Sequence, residues 1–172
     1  MKGIHTLNMV GVRQATITDD ALSYLECIHS LNMSHCTQIT DKAFSYLKGI
    51  HTLNMIRCRQ ETITDEAFSH LEGIHTLDMT NCNQNTNTDE AFKHLKGIHT
   101  LTMAYCNQPT ITDWAFSHLK GIHTLNMTLC QQKTITDEAF SHLEGIHTLI
   151  ILHCDQITDK AFLHLKGIQL SI

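Results

Sequence analysis

The sequence predicts an α/β right-handed solenoid: a parallel β-sheet on a concave face, short helices on a convex face, and about seven repeats of 22–24 residues making residues 1–172 one domain. Three observations predict it. The motif Ile-His-Thr-Leu, or a near variant, begins at Ile4, Ile28, Ile50, Ile74, Ile98, Ile122 and Ile146, with a remnant at Ile168. Within each unit the apolar spacing changes from period two to helical spacing, so a strand and a helix alternate. Both short units lose two residues at one place, Cys36-Thr37-Gln38-Ile39 standing where another has Cys58-Arg59-Gln60-Glu61-Thr62-Ile63. Loops absorb length changes and packed elements do not.

The unit beginning at Ile50 gives the elements in order. Leu53-Asn54-Met55 alternates with period two and reads as a short strand. A loop follows through Cys58 to Ile63. Thr64-Asp65-Glu66 opens a helix, the threonine capping free amides and the acids suiting the positive end of the dipole. Ala67, Phe68 and Leu71 recur at helical spacing, and Gly73 sits where a C-terminal cap glycine belongs. No single unit can bury its apolar face, but stacked units share a continuous core, with neighbouring strands about 4.8 Å apart. Right-handedness follows from the rule for parallel crossovers.

Composition narrows the function. Hydrophobic residues form 42% of the chain, enough for a core. A net charge of -5 argues against a nucleic-acid partner, which calls for a strongly basic surface. Met1-Lys2-Gly3 runs into patterned sequence without an apolar leader, and no run of apolar residues is long enough for a membrane span. Seven widely spaced cysteines do not resemble a disulfide framework, so a reducing compartment, cytoplasmic or nuclear, is expected. The sequons at Asn32 and Asn126 fall on the strand and read as accidents of the repeat.

Repeated residues invite chemical readings, each weighed against a structural one. Cys36, Cys58, Cys82, Cys106, Cys130 and Cys154 share one slot that holds Val12 in the first unit, so a small buried apolar site is expected there. Cys27 occupies the glycine slot and is the thiol expected to be exposed. Histidines recur at 5, 29, 51, 75, 99, 123 and 147, and on the helix at 70, 94, 118, 142 and 164, where Tyr24 and Tyr46 stand in the first two units. Their spacing follows the repeat, so metal binding by a histidine array ranks as a distant third reading, and no metal or cofactor site is assigned. Glutamine recurs from Gln14 to Gln156 and aspartate from Asp19 to Asp159. The glutamines are expected to hydrogen-bond along the stack, and the aspartates to serve helix starts. Identical acids along a spine do not converge on one point, and no nucleophile–base pair or phosphate loop is present, so the chain is not read as an enzyme.

Differences between units mark where a partner acts. The positions after the strand vary most: Val10, Ser34, Ile56, Thr80, Ala104, Thr128, Leu152, then Gly11, His35, Arg57, Asn81, Tyr105, Leu129, His153. Beyond the cysteine slot come Arg13, Thr37, Arg59, Asn83, Asn107, Gln131 and Asp155. On the strand itself the outward row reads Asn8, Asn32, Asn54, Asp78, Thr102, Asn126 and Ile150. These variable series are expected to line the concave face and its rim, with Arg57, Arg59, Asp78, Asn81, Tyr105 and Leu129 as the candidate contact patch. Trp114 reads as a partly exposed aromatic on the helical side. A column of Lys48, Glu72, Lys96, Lys120 and Glu144 is expected to add weak pairs between units. Neither chain end shows a polar capping unit, which raises end-to-end self-association into filaments or rings as the alternative.

The pattern Ile50-x-x-Leu53-x-Met55-x-x-Cys58, followed by Ile63-Thr64-Asp65 and Ala67-Phe68-x-x-Leu71, resembles the cysteine-containing subclass of leucine-rich repeats familiar from F-box adaptors of ubiquitin ligases. The resemblance covers essentially the whole chain. It implies a non-catalytic protein-interaction module, with substrate recognition within such an adaptor as the finer role. No F-box segment precedes the repeats, so that role requires one supplied elsewhere.

Overall fold

The computed structural model describes residues 4–10, 17–25, 27–165, 167 and 169–171. Eight short strands form one parallel sheet in chain order: β1 (Thr6–Asn8), β2 (Ser30–Asn32), β3 (Thr52–Asn54), β4 (Thr76–Asp78), β5 (Thr100–Thr102), β6 (Thr124–Asn126), β7 (Thr148–Ile150) and β8 (Gln169–Ser171). Equivalent positions of successive units lie opposite one another, as in Leu31, Leu53 and Leu77. The remnant after the seventh unit thus supplies an eighth strand. Gly11, Val12, Arg13, Gln14 and Ile168, which carried parts of the sequence reading, lie outside the described residues.

At the ends of β1 to β4 and β6 an asparagine or aspartate side chain takes over the backbone amide two residues on. The Oδ1 of Asn54 accepts from the backbone amide of Ile56 at 3.1 Å, and Asp78 does the same for Thr80 at 2.9 Å. This Asx turn bends the chain. The turn closes when the amide of Cys58 donates to the carbonyl of Met55 at 3.0 Å.

The opposite side carries the helices α1 (Asp19–Leu22), α2 (Asp41–Phe44), α3 (Asp65–Ser69), α4 (Asp89–Phe92) and α5 (Asp113–Phe116), then 3-10 turns at Asp137–His142 and Asp159–His164. The expected caps form: the Oγ1 of Thr64 accepts from the amide of Glu66 at 3.2 Å, and the equivalent threonines from Thr40 to Thr158 repeat it. Thr18, before α1, makes no such bond. Gly97 leaves its unit at φ +83, a conformation that needs no Cβ. Cys27 holds the same slot at φ 65 and is exposed, as expected.

The core runs unbroken between the layers. Ile50, Leu53 and Met55 from the sheet side meet Ala67, Phe68 and Leu71 from the helical side, all buried. Each fully buried large side chain contributes roughly 1.5–3 kcal/mol.

Polar side chains then bind unit to unit. The carboxylates of the six helix-start aspartates Asp19, Asp41, Asp65, Asp89, Asp113 and Asp137 each accept from both the amide and the hydroxyl of the next unit's capping threonine. The aspartates therefore do more than suit a helix dipole. The buried thiols donate backward: Cys106 Sγ to the carbonyl of Met79 at 3.1 Å, Cys130 to Met103 at 2.9 Å. Burial pushes the Cys58 and Cys106 thiols up to about 12, so they stay protonated and able to donate.

Two expectations are corrected. Among the described residues the glutamines do not bond to one another. Gln60 donates instead to the carbonyls of Cys36 and Ile39, and the buried amides of Gln84, Gln108 and Gln132 have no partner among the described residues. The amides that do pair, Gln60 and Gln156, reach backbone carbonyls of the preceding unit. The Lys48 to Glu144 column also forms no lysine–glutamate pairs among the described residues; Glu72 instead faces the ring of His94 at 3.4 Å. The ion pairs that do form among the described residues, Lys42–Asp20 and Lys93–Glu90, involve residues in or just after the helices and are exposed.

Candidate interaction surface

The turns after the strands build the candidate surface. The residues three positions beyond the ends of β2 to β7, His35, Arg57, Asn81, Tyr105, Leu129 and His153, all have φ between 58 and 65°. Their backbones continue the sheet ladder: Arg57 donates to the carbonyl of Thr80, Asn81 to Ala104, Tyr105 to Thr128 and Leu129 to Leu152, at 2.8–2.9 Å. These residues therefore stand in one column in register with the sheet. Four of the six candidate contacts, Arg57, Asn81, Tyr105 and Leu129, belong to it.

The other two are placed differently. Arg59 is exposed in the loop beyond the cysteine, and its Nε donates to the carbonyl of Asn81 at 3.0 Å. Asp78 ends β4 on the outward row, half-buried, with one oxygen committed to the Thr80 amide. Beside Arg59, Asn83, Asn107 and Gln131 form a hydrogen-bonded ladder: Asn107 donates its amide to Asn83 and Gln131 donates its own to Asn107. That series varies in sequence yet is partly occupied with holding the loops in register.

A family model described as BspA type Leucine rich repeat region matches residues 37–169 in six copies. The chain belongs to the BspA-type leucine-rich-repeat family. No curated protein matches it significantly. Among solved structures, this leucine-rich-repeat chain is similar to TLR13 in a TLR13–ssRNA13 complex, with 22% identity, a TM-score of 0.72 and 90% of this chain covered. It is similar to a chain of the Rad7 and Elc1 complex from yeast, with 18% identity, a TM-score of 0.65 and 90% covered. An internalin of Listeria monocytogenes gives 19% identity, a TM-score of 0.65 and 88% covered. The chain spans 23%, 44% and 42% of those chains respectively. These likenesses concern the solenoid fold.

The histidine column is the other ordered array of this leucine-rich-repeat sheet. His29, His51, His75, His99, His123 and His147 stack face to face, ring centroids 4.4–4.6 Å apart and planes within 11–20°. The Nδ1 atoms of the last five face the hydroxyls of the following threonines at 3.1–3.3 Å. The lone pairs of parallel rings point side by side. A metal ion bound at about 2.1 Å would require neighbouring rings to tilt toward each other, and half the 4.5 Å spacing already exceeds that bond. Among the described residues no three His, Cys, Asp or Glu side chains are grouped to hold a metal, and no helix is long and apolar enough to cross a membrane.

Sequence comparison missed the apolar end of the surface. Leu152 is 36% exposed and Ile150 half-buried on the outward row, next to Leu129. Both were in the variable series, and reading the series as one column would have joined them to Tyr105. Trp114 is exposed on the helical side, its edge toward the His118 ring.

Proposed function

We propose that this chain is a non-catalytic protein-interaction module that presents the concave face and the turn column to a protein partner. The observation that carries this reading is the column itself. A scaffold of near-identical units holds side chains of five kinds, His, Arg, Asn, Tyr, Leu and again His, at one geometric position. Identity at the buried positions and variety along the exposed and half-buried rows after the strands is the pattern of a recognition surface on a solenoid. The similar chain of the yeast Rad7 and Elc1 complex, a protein–protein assembly, supports the same reading. Arg57, Arg59, Asp78, Asn81, Tyr105 and Leu129 are the proposed contacts, with Arg and Tyr as anchors.

The finer role, substrate recognition within a ubiquitin-ligase adaptor, rests on the cysteine slot and its resemblance to that subclass. Reduced, buried thiols support a cytoplasmic or nuclear setting. The net charge of -5 supports a protein rather than a nucleic-acid partner. End-to-end self-assembly is the alternative, and light scattering over a concentration range separates the two: a monomer throughout removes assembly.

The test of the main reading is a screen of displayed protein domains against the folded chain, with competition by a variant carrying Arg57→Ala, Arg59→Ala and Tyr105→Ala. Recovered binders should lose at least tenfold in affinity for the variant while its melting temperature stays within about 3 °C. Binders that retain full affinity for a folded variant would sink the proposed surface.

A further inference from the structure

Between its terminal members His35 and His153 the turn column is graded along its length. Arg57 and Arg59 are exposed at one end, and no carboxylate of the described residues lies within 4.0 Å of either guanidinium. Asn81 and Thr80 follow, small and uncharged. Tyr105, 47% exposed, begins an apolar end that continues through Leu129 to Leu152 and Ile150. Contiguity is fixed by the backbone, since Tyr105 donates to Thr128, Leu129 donates to Leu152, and Asn126 pairs with Ile150.

A second observation is independent of that gradient. Arg57, Tyr105 and Leu129 sit at φ 58, 58 and 59°. A left-handed conformation costs a side chain with a Cβ about 1–2 kcal/mol, whereas glycine or asparagine adopts it cheaply. The same chain places glycine at its other left-handed position, from Gly49 to Gly145. At the turn it keeps large side chains that are exposed or half-exposed and recover little of that cost by packing. Strain retained at an exposed row points to a use for the side chains.

We propose that this ridge holds an extended polypeptide segment, acidic where it meets Arg57 and Arg59 and bulky-apolar where it meets Tyr105, Leu129 and Leu152. The proposal rests on the protein-interaction reading above and names the chemistry of its partner. From Arg57 to the row of Leu152 is four strand spacings, about 19 Å, which an extended chain covers in about six residues at about 3.3 Å each. The aliphatic end favours a peptide over a single-stranded nucleic acid, which needs a continuous cationic groove with stacking rings.

The test uses the full chain, isotope-labelled, with its amide resonances followed by NMR. The probes are two hexapeptides of two aspartates, two serines and two leucines, acids at one end or the other. Controls are the same peptides with lysine for aspartate or serine for leucine, and a uridine decanucleotide. One acidic–apolar peptide should shift the amides of Arg57, Asn81, Tyr105, Leu129 and Leu152, and bind at least tenfold tighter than either control peptide. R57E/R59E should abolish its preference over the lysine peptide, and Y105S/L152S its preference over the serine peptide. Shifts elsewhere, equal binding of the control peptides, or tighter binding of the uridine oligomer overturn the proposal. If no peptide binds while the domain screen still yields binders sensitive to the Arg57, Arg59 and Tyr105 substitutions, the linear-peptide occupant fails and the interaction module stands.

Discussion

The carboxylate of Asp65 accepts two hydrogen bonds from Thr88 in the next unit, one from its backbone amide at 2.7 Å and one from its hydroxyl at 2.6 Å. The same threonine caps α4 by accepting from the amide of Glu90 at 3.2 Å. One aspartate therefore orients the cap that starts the neighbouring helix, and the pattern repeats along the convex side. Asp65→Ala removes two charge-assisted bonds and should cost about 2–3 kcal/mol in denaturant unfolding. Glu66→Ala, one residue along and exposed, serves as the control and should change stability by less than about 0.5 kcal/mol. Equal losses in the two variants would disprove the inter-unit role.

Asn87 stands in the slot that Ile39, Ile63, Ile111 and Ile135 fill, fully buried, and neither atom of its amide has a partner among the described residues. A buried unsatisfied amide costs about 1–3 kcal/mol, and isoleucine restores the repeat's own packing. Asn87→Ile should raise the melting temperature by several degrees. A decrease would mean the amide is satisfied in solution, by water for example.

The stacked imidazoles make stability depend on pH. Burial, and then the neighbouring rings, hold His51 and His99 below the ordinary histidine value of about 6.5. The charges acting on these rings are those of their neighbours in the stack, His29 and His75 on His51, and His75 and His123 on His99. With the folded value below the unfolded one, the folded state binds fewer protons. The stability is thus fully present above pH 6.5 and is lost as pH falls through the folded values. The melting temperature should fall between pH 7.5 and 5.5, and the fall should shrink in His75→Gln/His99→Gln. A flat profile in the parent chain would refute the coupling.

Thiol accessibility separates Cys27 from the repeat cysteines. Cys58, Cys82, Cys106 and Cys130 are fully buried, and burial raises their thiols. A thiol reagent should titrate Cys27 quickly in the native chain and all seven cysteines only after denaturation. Fast native reaction at several sites would show that the stack opens readily.

Cys27→Gly should stabilise the chain by about 0.5–1 kcal/mol, because glycine removes the strain at φ 65° that Gly49 and its equivalents avoid. Thermal unfolding of the single variant measures it. A loss of stability would mean the Cys27 side chain makes a contact that outweighs its backbone strain.

The sequence by itself determined the solenoid, the unit length, the strand-loop-helix order and which cysteines are buried. Those properties follow from residues close in the chain: Leu53-Asn54-Met55 fixes a strand by alternation, and Thr64-Asp65 with Gly73 fixes both ends of a helix. It also marked Arg57, Arg59 and Tyr105 as variable and exposed. What Asp65, Gln84 and Asn54 do was decided only by the tertiary structure, because their partners are 20 or more residues away or depend on the turn's geometry. Asp65 reaches Thr88, the glutamines miss one another, and Asn54 bends its own strand into the turn that sets Arg57 at φ 58°. Side-chain reach across a strand spacing is a matter of rotamer and register, and one-dimensional periodicity carries neither.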